Sequence, residues 1–110
     1  MDRSEQYAAI VRRVLTEIAE LSPSTETLRT ELVFNENQGH YHLEEVGWDG
    51  DDRIDVMLLH IDIIEGRIWL QYNGTDLRVG EELVRAGIPR DQIVLGFQPP
   101  ELRQYTDFAT

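Results

Sequence analysis

The side chains best equipped for chemistry fall into two groups. His40 and His42 are separated by one residue, and His60 and Asp62 repeat that spacing later in the chain. Residues two apart on a β-strand share a face, so a neighbouring strand in register would bring three of these donors together, enough for zinc or another divalent ion. The competing reading is a row of polar residues on the exposed or interface-facing side of a sheet. H-x-H dictates no fourth ligand, so the residues favour that reading, with no metal ligand and no cofactor assigned. The second group is "WDGDDRID", where Asp49, Asp51, Asp52 and Asp55 crowd together. It resembles a calcium loop but has Gly50 at the second position and no glutamate where the loop should close, which makes it an acidic turn.

Other routes to catalysis are poorly supplied. There is no cysteine, and the only serines are Ser4, Ser22 and Ser24, outside the segment that reads as sheet. Neither a nucleophile elbow nor a glycine-rich phosphate loop occurs. Carboxylates such as Asp49 and Asp62 would serve acid–base chemistry in a cleft, but their spacing does not require one. The expectation is a protein that is not an enzyme; the alternative is a small metal-dependent enzyme using His40, His42 and His60.

Charge narrows the partners. The 110 residues carry 21 acids against 10 bases, a formal net charge of −11, and every base is arginine. Proteins that grip a duplex neutralise phosphates with Lys and Arg, so direct nucleic-acid binding is not expected. From Glu26 to Glu65 there are eleven acids and two arginines, a segment charge of −9. That segment would steer a basic partner or simply keep the surface soluble. Trp48 and Trp69 lack the positive groove of a base-stacking platform and point to core packing or a protein interface. No apolar run approaches the roughly 20 residues that span a bilayer and no signal peptide opens the chain, so the expected location is the cytoplasm, away from any membrane.

These residues need a frame, and the hydrophobic period supplies one. Residues 4–21 read as a helix, with Tyr7, Ile10, Val11, Val14, Leu15, Ile18 and Leu21 on one buried face. Asp2 with Glu5 has the form of a capping box, and Ser22-Pro23-Ser24 a stop. From residue 26 the period becomes two, with Leu28, Leu32 and Phe34 on one side of "ETLRTELVFN". "GHYHLEEVGWD", "RIDVMLLHIDII" and "RIWLQYN" follow as strands, the last two joined by Glu65-Gly66 in a tight antiparallel hairpin. Thr75 or Asp76 would cap a short helix to about Ala86, ended by Gly87 and Pro89. "QIVLGF" is a buried strand or extended segment, and Phe97, Tyr105 and Phe108 in the tail fold back on the sheet or dock across a dimer. The expected fold class is α+β: a single domain over 1–110, an antiparallel meander sheet of about four to five strands, with an N-terminal helix and a second short helix packed on it.

Three segments, in order, also carry a likeness: "HYHLEEVGWDG", "LHIDIIEGRIWLQYNGTD" and "ELVRAGIPRDQIVLGFQPPELRQYTDFA". Together they resemble the XisI-like family of element excision controlling factors, over nearly the whole chain. The most specific parts are Val46-Gly47-Trp48-Asp49-Gly50, Gly66-Arg67-Ile68-Trp69 and Ile93-Val94-Leu95-Gly96-Phe97, followed by Pro99, Arg103, Thr106 and Phe108. Asp51-Asp52 and Asp55 depart from the family pattern and make this hairpin more acidic.

The resemblance implies an accessory protein for programmed DNA rearrangement, acting beside a site-specific serine recombinase and a small nuclease-like excision factor in a cyanobacterial setting. Contact with one of these proteins is the expected mechanism, with Trp48, Asp49, Asp51, Asp52, Trp69, Arg103 and Phe108 as partner-binding residues. Aromatic anchors would desolvate the centre, and rim charges would set encounter rate and selectivity. An alternative is an antitoxin-like inhibitor that covers the nuclease-like factor with carboxylates in place of DNA phosphates. Apolar strands with open edges leave a homodimer possible.

Overall fold

A computed structural model describes residues 3–110. Helix α1 (Arg3–Glu20) is followed by strands β1 (Leu28–Asn35), β2 (His40–Asp49), β3 (Asp52–Ile64) and β4 (Arg67–Asn73). The chain then forms helix α2 (Val79–Arg85), a 3-10 turn (Arg90–Gln92), strand β5 (Ile93–Leu95) and a last turn of helix, α3 (Pro100–Arg103). The strands lie in the order β1-β2-β3-β4-β5, antiparallel through β4 and parallel between β4 and β5. The fold is therefore α+β, as expected, with a parallel last pairing that follows from the helix inserted between β4 and β5: a parallel neighbour needs a crossover long enough to return the chain to its starting end.

One face of the sheet carries the core. Tyr7, Val11, Val14, Leu15 and Ile18 from α1 meet Tyr41, Leu43, Leu59, Ile61, Ile68, Leu70 and Ile93, with Val79 and Leu83 of α2 at the side. Each fully buried aliphatic side chain contributes about 1.5–3 kcal/mol relative to exposure. Leu21, expected on the buried stripe, is instead 69% exposed. The helix closes with bonds from Leu21 N to Ile18 O and Ser22 N to Ala19 O, a tighter i to i+3 turn that swings Leu21 off the face. The capping box involves Asp2, which lies outside the described residues.

The turns follow their residues. Glu65 and Gly66 have φ of 52° and 77°, the two positive values of a type I′ hairpin. Thr75 and Asp76 do not cap α2, whose N-cap is Arg78 without a side-chain bond. Asn73 takes Thr75 instead: its Oδ1 accepts from Thr75 N (2.9 Å) and Thr75 Oγ1 (2.6 Å), and its Nδ2 donates to Leu77 O (2.8 Å). An Asx turn thus occupies the residues that would otherwise have capped the helix. At the far end Gly87 N donates to Val84 O and Ile88 N to Leu83 O, a Schellman motif whose apolar clasp is the buried Leu83–Ile88 pair.

Two bulges tune the register. Leu43 faces Leu59 while Glu44 faces Met57, leaving Leu58 as an extra residue in β3; its carbonyl accepts from Gly74 N at 2.8 Å. His60 faces Tyr72 while Ile61 faces Leu70, leaving Gln71 extra in β4. At the other edge the tail adds Ala109 beside β5, with Ala109 N donating to Ile93 O.

Candidate functional site

Because Tyr41 and Leu43 point into the core, His40 and His42 point to the opposite, outer face of the sheet. The register then sets His40 opposite Asp62 and His42 opposite His60. His40 Nδ1 lies 2.6 Å from Asp62 Oδ1, and His60 Nε2 lies 2.8 Å from the same oxygen. Gln71, two residues beyond Trp69 and on the same face of β4, donates from Nε2 to Asp62 Oδ2 at 3.1 Å. Burial alone would raise the Asp62 carboxyl, but the hydrogen bonds from His40, His60 and Gln71 outweigh it and hold the group below its ordinary value. His42 packs edge-on against His60 with ring centroids 4.4 Å apart. Burial, then the neighbouring His60, pushes His42 below its ordinary value, and its Nε2 is buried without a partner among the described residues. The donor atoms of His40, His60 and Asp62 lie within 4.8 Å of one another.

A second locus is the end of the β2–β3 hairpin, which runs on past β4: β4 stops opposite Leu59, whereas β2 and β3 remain paired to Asp49 and Asp52. Asp49, Asp51, Asp52 and Asp55 are all exposed there, and none of them joins an ion pair among the described residues. Trp48 is 48% exposed and carries the Arg53 guanidinium 5.5 Å from its ring centroid. Gly47 makes this arm possible. Its φ is 145°, and a Cβ would sit 2.1 Å from Thr27 O, so only glycine lets β1 pass so closely.

The tail forms a third locus. Arg103 lies over Trp69 at 5.2 Å and donates from Nε to Leu95 O at 3.3 Å. Phe108 fits against Gly80, where a Cβ would meet its ring at 2.7 Å, with Arg90 stacked 5.6 Å from its centroid. Trp69 and Phe108 are therefore half-buried within their own chain. The residues expected to bind a partner do not form one patch. Trp48 faces Arg53 and Trp69 faces Asp62, nine residues apart along β3, or about 30 Å at the strand rise of roughly 3.3 Å per residue.

Comparison with known proteins agrees with this architecture. The XisI protein family matches residues 1–110. The chain belongs to the XisI family. Among solved structures, it is similar to a XisI-like protein from Anabaena variabilis, with 41% identity, TM-score 0.91 and coverage of 97% of this chain and 98% of that one. It is also similar to the fdxN element excision controlling factor XisI from the same organism, with 32% identity, TM-score 0.85 and 98% of both chains covered. No curated protein matches it. In this XisI family member the segment 46–50 is the outer end of the acidic arm, Gly66 to Trp69 form the tight turn and the strand under Arg103, and 93–97 form β5 and its exit. Two contributors escaped sequence reasoning: Gln71, which shares a face with Trp69 by a spacing of two but meets Asp62 only through the β3–β4 pairing, and Arg53, whose stacking on Trp48 depends on cross-strand pairing. No described helix is long and apolar enough to cross a membrane.

A cleft of about 680 Å³ lies elsewhere, between α1 and the two turns at 36–39 and 65–66. It contains the Arg12–Glu36 ion pair and the edge of Tyr41, but none of the three histidines.

Proposed function

We propose that this protein is an accessory controlling factor in programmed excision of a DNA element, acting without catalysis of its own through contact with a site-specific recombinase or a nuclease-like excision factor. The observation that carries this reading is the β2–β3 arm: four exposed aspartates, none ion-paired among the described residues, around one exposed tryptophan. Family membership supplies the biological setting, since the similar protein from Anabaena variabilis is a controlling factor of fdxN element excision. An acidic projection on a chain of net charge −11 repels phosphate backbones and attracts the basic surfaces of proteins that bind DNA. Trp48 supplies the apolar contact, and the aspartates set encounter rate and selectivity. Trp69, Arg103 and Phe108 serve by fixing the tail to the body of the domain, Arg103 over Trp69 on the outer face and Phe108 against Gly80 of α2.

The exposed carboxylates favour a second form of the same reading, in which the arm lies over the nuclease-like factor where DNA phosphates would bind. The two forms differ in one readout, because only the second lowers nuclease activity in a mixture of the two proteins. The test is affinity co-purification from source cells with nuclease treatment, followed by association kinetics with the recovered protein at several salt concentrations. The expected partner is a recombinase or nuclease-like protein at near-stoichiometric yield. Its association slows as salt shortens the screening length, which is about 10 Å at 0.1 M. Replacing Asp49, Asp51 and Asp52 with Asn slows association, and Trp48→Ala speeds dissociation. Binding indifferent to both salt and the triple replacement removes the steering role of the arm.

A further inference from the structure

Among the described residues Asp62 is the one charged side chain buried in the fold, 6% exposed. Its partners are two imidazoles and an amide; no arginine among the described residues reaches it. A carboxylate taken out of water is costly unless a positive charge sits beside it, and this chain already carries an excess of eleven negative charges. Both imidazole nitrogens converge on one oxygen, Oδ1, while Gln71 holds the other.

We propose that His40 Nδ1, His60 Nε2 and Asp62 Oδ1 form a site for one divalent transition-metal ion of the zinc class, with its fourth coordination position open on the outer face of the sheet. Two imidazoles and one carboxylate with an open position is a donor set suited to zinc and to other ions of the first transition row. Bonds of about 2.0–2.2 Å in a tetrahedron put neighbouring donors about 3.3 Å apart. The two nitrogens stand 2.6 and 2.8 Å from Oδ1, so admitting the ion widens the separations by roughly 0.5–0.7 Å. The side chain of His40 is 46% exposed, which gives both an entry path and room for a bound water. Gln71 is a positioning residue: its bond to Oδ2 turns Oδ1 toward the histidines. When the ion binds, each ligating nitrogen gives up its N–H, the proton moving to the other ring nitrogen of a neutral imidazole or to water from a charged one. The two N–H···O bonds are thus the proton-filled form of the same site.

The test uses the full chain purified without a histidine tag and stripped with a chelator, titrated with Zn²⁺ by calorimetry and with Co²⁺ by visible absorption. The expected result is one equivalent bound with a dissociation constant at or below about 10 μM, and cobalt bands of a low-coordinate site. His40→Asn and Asp62→Asn each weaken binding at least about thirtyfold, and Gln71→Ala about tenfold. His42→Asn leaves binding within about threefold, since His42 is not a ligand. His40 lies half exposed, so its variant keeps the test decisive even where Asp62→Asn perturbs folding. No binding, or binding unchanged in both ligand variants, overturns the proposal, the latter by assigning the ion to the acidic surface; an equal loss in His42→Asn overturns the three-ligand assignment. Failure here leaves the contact reading of the arm untouched, because the two loci are far apart on β3.

Discussion

Replacing Gly47 with alanine tests the link between a backbone constraint and the arm that it positions. The added Cβ would stand 2.1 Å from Thr27 O and 2.9 Å from Leu28 Cα, both backbone atoms, at a φ of 145°. No rotamer relieves that collision, so either the residue moves to another backbone region or β1 withdraws. Withdrawal breaks the bond from Trp48 N to Thr27 O, now 2.8 Å. Backbone strain of about 1–3 kcal/mol and one lost hydrogen bond of about 1 kcal/mol give an expected loss of roughly 2–4 kcal/mol. At about 4 °C per kcal/mol for a chain of this size, Tm falls by roughly 8–16 °C. Urea unfolding followed by circular dichroism reads the loss, and hydrogen exchange at residues 28–35 reads the detachment of β1. Gly50 is the control: its φ is 63°, but a Cβ there would meet nothing within 4 Å, so Gly50→Ala costs only the left-handed penalty of about 1–2 kcal/mol. Gly47→Ala within about 0.5 kcal/mol of wild type, with unchanged exchange, refutes the argument.

Three further outcomes are expected. Leu59→Ala, at a site with no exposure in the middle of β3, lowers stability by about 2–5 kcal/mol in the same urea assay. Glu81 is held below its ordinary value of 4.5 by two hydrogen bonds from Arg90, at 2.7 and 2.6 Å. Its folded value lies below its unfolded one, so its contribution is present above pH 4.5 and is lost as the pH falls through the folded value; Glu81→Gln makes Tm less steep with pH in that acid window. Arg103→Ala removes both the stacking on Trp69 and the bond to Leu95 O, and the tail from 97 to 109 loses protection in hydrogen exchange while β2 and β3 keep theirs.

Much of the frame was legible because its signals are local. The stripe from Tyr7 to Ile18, the alternation of β2 and the Glu65-Gly66 turn each depend on residues close in sequence, and each formed as the pattern required. Leu21 continued the helical period in sequence but not in space, since the period carries no record of where the helix closes. Thr75 and Asp76 looked like caps because cap and Asx-turn chemistry use the same short polar side chains; Asn73 decided between them. The histidine cluster was half legible. Spacing of two put His40 with His42, His60 with Asp62 and Trp69 with Gln71 on common faces, but their meeting depends on the β2–β3 and β3–β4 registers, which no local pattern announces. Trp69 and Phe108 read as anchors from residue type alone, whereas packing against Arg103 and Gly80 engages them within the chain.

The Ala109–Val94 bridge has a consequence for assembly. It covers part of the free side of β5, itself only three residues long, so the long borders of the described sheet without a strand partner are β1 and the stretch of β3 from Asp52 to Met57 that runs past β4. A second copy adding a strand would have to use one of these two borders, and on β3 it would meet the exposed carboxylates of Asp52 and Asp55, which repel an equally acidic edge.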